Sequence, residues 1–218
     1  RDLHSFPTRR SSDLRTYYYT DADAAARIEV LEELNEEVFS TESVGPDACH
    51  FGWGEVLLAT RPTIYKKIKL VTHENVGYGH IHLPEEQMHT TSFWLVLPDH
   101  ARSDASTEKT DALMGLVNLV RTVAPLFLMC DRGDVIVQGH ERDPHFRRPT
   151  LYVADNVPGG VGLAEALFDL GKNLFYACLD ALGNCKCKTG CPACIGANVA
   201  GGDIKPEVVK LLRVITGV

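Results

Sequence analysis

Cys185, Cys187, Cys191 and Cys194 fall within the ten residues CKCKTGCPAC of a 218-residue chain that holds seven cysteines. Even spreading would put only about 0.3 cysteine in such a window. Four thiolates from one short loop can wrap tetrahedrally around a divalent ion at about 2.3 Å each, and Gly190 and Pro192 let the loop turn sharply enough to aim sulfur inward. A structural zinc knuckle is the expectation. With four cysteines as ligands no coordination position is left for a water, so hydrolytic chemistry is not expected. Three other uses of the thiols compete: disulfides in an oxidising compartment, an iron-sulfur cluster with cramped one- and three-residue spacings, and a redox pair Cys191-x-x-Cys194. Cys49, Cys130 and Cys178 are expected as buried thiols, although Cys178 could stand in for Cys185.

Other chemistry is more diffuse. The turn NVPGGVGLAE (Asn156 to Glu165) puts Gly159, Gly160 and Gly162 between a strand-like run and a helix-like run, where backbone N–H groups could meet an anion or simply pack helix on sheet. It is neither a P-loop nor a dinucleotide fingerprint, because no Gly-Lys-Ser/Thr follows and Glu165 occupies the third glycine position. His80-x-His82 would share one strand face but lacks a third ligand at motif spacing. Two basic stretches could hold phosphates beside an aromatic ring: Lys66, Lys67 and Lys69 after Tyr65, and Arg142 through Arg147 and Arg148 with Phe146 between. No Ser-His-Asp order, paired-carboxylate motif or ATP-binding loop is present in the sequence.

These residues need elements to position them. Short apolar and β-branched runs at 16–20, 55–60, 64–72 and 90–97, punctuated by Gly and Pro, predict strands; 23–39 fits either period and is read as a strand running into a loop. The polar stretch 99–109 predicts a linker. Helical spacing follows over 111–129 with Thr110 or Asp111 as N-cap, then strands at 134–138 and 150–154, one long helix over 162–182, and a last helix at 206–214 opened by Pro206. The expected fold class is α+β, with a β-rich module over 15–98 followed by an α/β module over 110–218 that carries the four-cysteine knuckle.

The charge balance of 22 Lys+Arg against 29 Asp+Glu, net -7, disfavours a globally basic nucleic-acid binder and leaves local patches. No apolar run approaches the roughly 18 residues of a membrane span. The segment His4 to Leu14, HSFPTRRSSDL, resembles a translated short-read sequencing adapter, so residues 1–14 are expected to be non-native. Setting them aside removes three Arg and two Asp, which moves the net charge from -7 to -8. The remainder would then be a fragment beginning near Arg15.

Taken together, LFLMCDRGDVIVQ (Leu126 to Gln138), VPGGVGLAEALF (Val157 to Phe168) and CKCKTGCPACIG (Cys185 to Gly196) resemble, in order and spacing, the C-terminal zinc-binding domain of MrfA-like DEAD/DEAH-box superfamily 2 DNA helicases. Tyr65 to Trp94 is similar, more loosely, to the β-rich region preceding that domain. The resemblance implies zinc on Cys185, Cys187, Cys191 and Cys194, and RecA-like motor domains upstream that would bind ATP and Mg2+. It also implies 3′-to-5′ movement on single-stranded DNA in DNA repair, and a cytoplasmic location. Within the chain itself no catalytic residue is expected. Its role would be to brace the motor and guide single-stranded DNA, with Lys66, Lys67, Lys69, Arg147 and Arg148 on phosphates. A stand-alone zinc-dependent protein-interaction module, or an enzyme built on His80, His82 and the glycine turn, are the rival expectations.

Overall fold

A computed structural model describes residues 18–39, 48–98, 107–196 and 203–217. The adapter-like segment and most of the expected linker lie outside them. In chain order the elements are β1 (Tyr18–Phe39), β2 (Cys49–Lys69), β3 (Asn75–His80), β4 (Glu86–Val96), α1 (Thr107–Leu128), β5 (Val135–His140), β6 (Thr150–Asp155), α2 (Leu163–Leu170), α3 (Lys172–Asn184), α4 (Pro192–Ile195) and α5 (Ile204–Thr216). The class is α+β. Two compact units are formed, one from the chain before Arg27 with 60–86, the other from 27–59 with 87–218. β1 and β2 each contribute residues to both.

The larger unit carries the strand order β1-β2-β4-β6-β5. β4 and β5 both run antiparallel to β6, with Phe93 and Val137 each in register with Val153. One core unites sheet residues Phe51, Phe93, Leu95, Val137 and Val153 with Leu116, Val120, Leu174, Phe175, Val208 and Leu212 of the helices. Phe51 stacks on Phe175 at a centroid distance of 5.4 Å. Alternation turns Trp94 to the opposite face from Phe93 and Leu95, where it meets Phe146 and Tyr152 and lies over Gly52 so closely that a Cβ there would clash.

Several elements depart from their expected extents. The strand β1 continues to Phe39 instead of entering a loop, because Gly52 and Gly54 of β2 let the backbone of residues 32–35 approach closely. Ile28 is buried whereas Leu31 and Leu34 are half exposed, so no buried helical stripe forms there. The runs expected at 55–60 and 64–72 belong to one strand that ends at Lys69, with 70–72 in a turn and Pro62 just ahead of the stretch that pairs with β3. The single helix expected over 162–182 is two, since Gly171 at φ 51 breaks it and its N–H caps the carbonyls of Leu167 and Phe168. Helix α1 starts ahead of the expected caps at Thr110 and Asp111.

The smaller unit is described over 18–26 and 60–86. Its hairpin pairs β2 with β3 antiparallel, Lys66 opposite Tyr78 and Ile64 opposite His80, with Tyr65 and Lys67 opposite Gly79 and Gly77. No helix among the described residues is long and apolar enough to cross a membrane.

Candidate metal centre and nucleic-acid contacts

The knuckle begins where α3 stops. Cys185 leaves the helix in an extended conformation while its N–H still bonds the carbonyl of Leu182. Cys187 follows, and Gly190 turns the loop at φ 126, a conformation that L side chains rarely adopt and where a Cβ would strike Ile195. Cys191 then caps the short helix α4. Its N–H donates to Cys194 Sγ at 3.3 Å and its own Sγ accepts from the Cys194 N–H, with Pro192 in the first turn. On the far side the Asn118 amide of α1 donates to the carbonyl of Ile195 at 3.2 Å.

This path brings all four sulfurs together. The Sγ separations are 3.4 Å for Cys185–Cys187, 3.7 Å for Cys185–Cys191, 3.5 Å for Cys187–Cys194 and 3.6 Å for Cys191–Cys194, and all four lie within 4.8 Å of one another. A regular tetrahedron with metal–sulfur bonds of about 2.3 Å has edges of about 3.8 Å, close to these values, whereas a disulfide needs about 2.05 Å. All seven cysteines are free thiols. The donor set therefore fits a tetrahedral zinc with no open position. Backbone N–H groups of Cys194 and Ala193 pull the Cys191 thiol down to about 7, while burial pushes Cys194 up to about 12 and Cys187 upward. A metal would have to displace those protons. Cys194 is buried, and Cys185, Cys187 and Cys191 are half-buried against the core. Cys178 lies in the core rather than in the cluster, Cys49 is also buried, and Cys130 is half-buried, not fully buried as expected. Burial raises the Cys49 thiol to about 11 and Cys178 to about 12.

The glycine turn is organised from within. The buried carboxylate of Asp155, at the end of β6, accepts from the N–H groups of Val161 at 2.7 Å, Ala164 at 3.0 Å and Leu163 at 3.2 Å. It thus occupies the start of α2, where an external anion would bind. Gly159 donates to the carbonyl of His89 and Gly160 to that of Val157; Gly159, Gly160 and Gly162 all take positive φ. An aspartate ending a strand eight residues ahead of a helix that follows a glycine-rich turn was the signal for this cap.

The basic residues fall into two groups. In the smaller unit, Lys66 and Lys67 follow Tyr65 on the β2 hairpin, Lys67 and Tyr78 are exposed, and Lys69 pairs with Glu74 at 2.7 Å. His80 and His82 are exposed there, and the four-cysteine cluster is the one potential metal site among the described residues. In the larger unit, Arg147 is exposed at φ 60. Arg148 is engaged internally, its guanidinium donating to the carbonyls of Leu97 (2.8 Å) and Ala48 (2.7 Å) and to His50 Nε2 (2.8 Å). The loop carrying both is folded around buried Asp143, which bonds His140 Nδ1 at 2.9 Å and accepts the N–H groups of His145 and Phe146. Burial alone would raise the Asp143 carboxyl, but these bonds win and hold it below the ordinary carboxylate range.

Residues 116–195 match the family model described as the MrfA Zn-binding domain. An uncharacterized protein of Methanocaldococcus jannaschii, MJ1572.1, is 31% identical over 90 residues, which cover 77% of its length and 38% of this chain. The chain belongs to the MrfA Zn-binding domain family. It is also 36% identical over 195 residues, 89% of its own length, to the uncharacterized ATP-dependent helicase YprA of Bacillus subtilis, of which those residues cover 25%. Among solved structures, the DUF1998 helicase MrfA bound to DNA superposes with a TM-score of 0.66 at 35% identity, over 92% of this chain and 26% of that one. The same helicase with DNA and AMPPNP gives 0.55 at 32% identity, over 91% and 23%. The chain thus spans about a quarter of the length of these helicases.

Proposed function

We propose that this chain is a structural zinc-binding accessory part of an ATP-dependent, 3′-to-5′ DNA helicase of the DEAD/DEAH-box type acting in DNA repair, with Cys185, Cys187, Cys191 and Cys194 as the zinc ligands. The closed four-sulfur centre docked on the helical core carries this reading, since it supplies architecture and no open coordination position. ATP and Mg2+ would act only at motor domains elsewhere in such a protein. The chain, a β-rich module over 15–98 with a zinc-bearing module over 110–218, would brace that motor and help to guide single-stranded DNA in the cytoplasm.

Phosphate contacts are assigned to Lys66 and Lys67, supported by Tyr78 in register with Lys66 and by the exposure of Lys67. Lys69, Arg147 and Arg148 are assigned further phosphate contacts, Lys69 while also holding Glu74 and Arg148 while holding two carbonyls and His50. Titration of a fluorescent single-stranded oligonucleotide at two salt concentrations tests the assignment. Charge reversal at Lys66 and Lys67 together is expected to weaken binding about tenfold or more and to flatten the salt dependence. Unchanged affinity and slope would remove this hairpin from the DNA path.

A second reading has an observation of its own. The archaeal relative is little longer than the stretch it shares with this chain, which supports a zinc-dependent interaction module that functions without a fused motor. Co-purification of a separate helicase subunit, rather than an in-line motor, would favour it.

A further inference from the structure

Four thiolates around one Zn2+ leave a centre of charge -2, and a half-buried anionic centre needs compensation. Lys186 and Lys188 of the knuckle are exposed to solvent, where screening weakens what they supply. Lys205 comes from a different element, the first turn of α5, and is half-buried. Its ammonium donates to the carbonyl of Cys185 at 2.7 Å and to that of Cys187 at 2.8 Å. Its backbone N–H donates to the carbonyl of Thr189 at 2.9 Å. One residue thus holds three carbonyls of the Cys185–Thr189 segment, including those of two ligand residues, while Asn118 of α1 holds the other half at Ile195.

Helix α5 is anchored behind Lys205 by buried Ile204, Val208, Leu212 and Ile215, and the Tyr176 hydroxyl of α3 donates to the carbonyl of Thr216 at 3.1 Å. Gly115 of α1 faces Val208 without room for a Cβ. The position of the ammonium is therefore fixed by the packing of α5.

We propose that Lys205 is the counter-charge and positioning residue of the four-cysteine centre, and that through it zinc binding and the docking of α5 stabilise one another. Two effects combine. A fixed cation offsets the negative charge of the zinc-thiolate centre, and the carbonyl bonds hold Cys185 and Cys187 in the turn that presents both sulfurs inward. Reciprocity follows: whatever Lys205 contributes to zinc affinity, zinc returns to the seating of α5. The inference rests on reading the centre as a zinc site.

The test uses the full chain, with zinc affinity measured by competition with a chromophoric chelator and α5 monitored by amide hydrogen exchange over 204–216. Lys205→Met is expected to weaken zinc binding by about 10- to 100-fold and to speed exchange in α5 with zinc present. Lys210→Met, an exposed lysine of the same helix paired with Glu207, should change neither. If Lys205→Met does not accumulate as folded protein, Lys205→Arg and Lys205→Gln carry the comparison, with Arg expected to hold zinc more tightly. Wild-type zinc affinity in Lys205→Met, or equal affinity in the Arg and Gln variants, would overturn the proposal. Failure of the unsubstituted chain to take up zinc would overturn the zinc reading and this inference with it.

Discussion

Asp155 shows how much a single buried side chain organises. Its carboxylate receives three backbone N–H groups of the glycine turn and is itself fully buried, so Asp155→Ala would leave those donors without their acceptor. A loss on the order of 3 kcal/mol is expected from the midpoint of denaturant unfolding, and a loss under about 1 kcal/mol would show that water replaces the carboxylate. His50 gives a pH-dependent counterpart. Burial, and then the Arg148 charge, hold its pKa below 6.5, with Glu36 and Glu33 opposing weakly. The folded state consequently binds fewer protons at His50 than the unfolded chain does. Stability from this group is present above about pH 6.5 and declines as the pH falls below it. His50→Gln should flatten that decline in thermal unfolding curves taken from pH 7 to pH 5; an unchanged decline would assign it to other groups.

At the scale of elements, legibility followed local chemistry. The four cysteines share a ten-residue window, and their spacing alone announced a tetrahedral loop that the Sγ separations match. Strands at 90–97, 134–138 and 150–154 were visible in their apolar runs to within a few residues. What escaped was set by contacts between distant segments or by a single glycine. The helix expected over 162–182 runs through Gly171, whose positive φ divides it into α2 and α3. The strand character of 23–39 depends on Gly52 and Gly54 of a neighbouring strand. Lys205 and Asn118 could not be seen as supports of the knuckle, because neither belongs to its motif and only the packing of α5 and α1 brings them there.

For the molecule as a whole, acidity and a DNA-handling role are compatible. A net charge of -7 repels a polyanion at long range, so the proposed contact at Lys66 and Lys67 has to be local and salt-sensitive. The expected α+β class is the observed one. The zinc centre is where sequence, geometry and family membership converge. Zinc K-edge X-ray absorption of the purified chain tests it most directly. The expected spectrum is that of one zinc per chain with a single shell of four sulfurs at about 2.3 Å. Nitrogen or oxygen in the first shell, or iron in place of zinc, would contradict it.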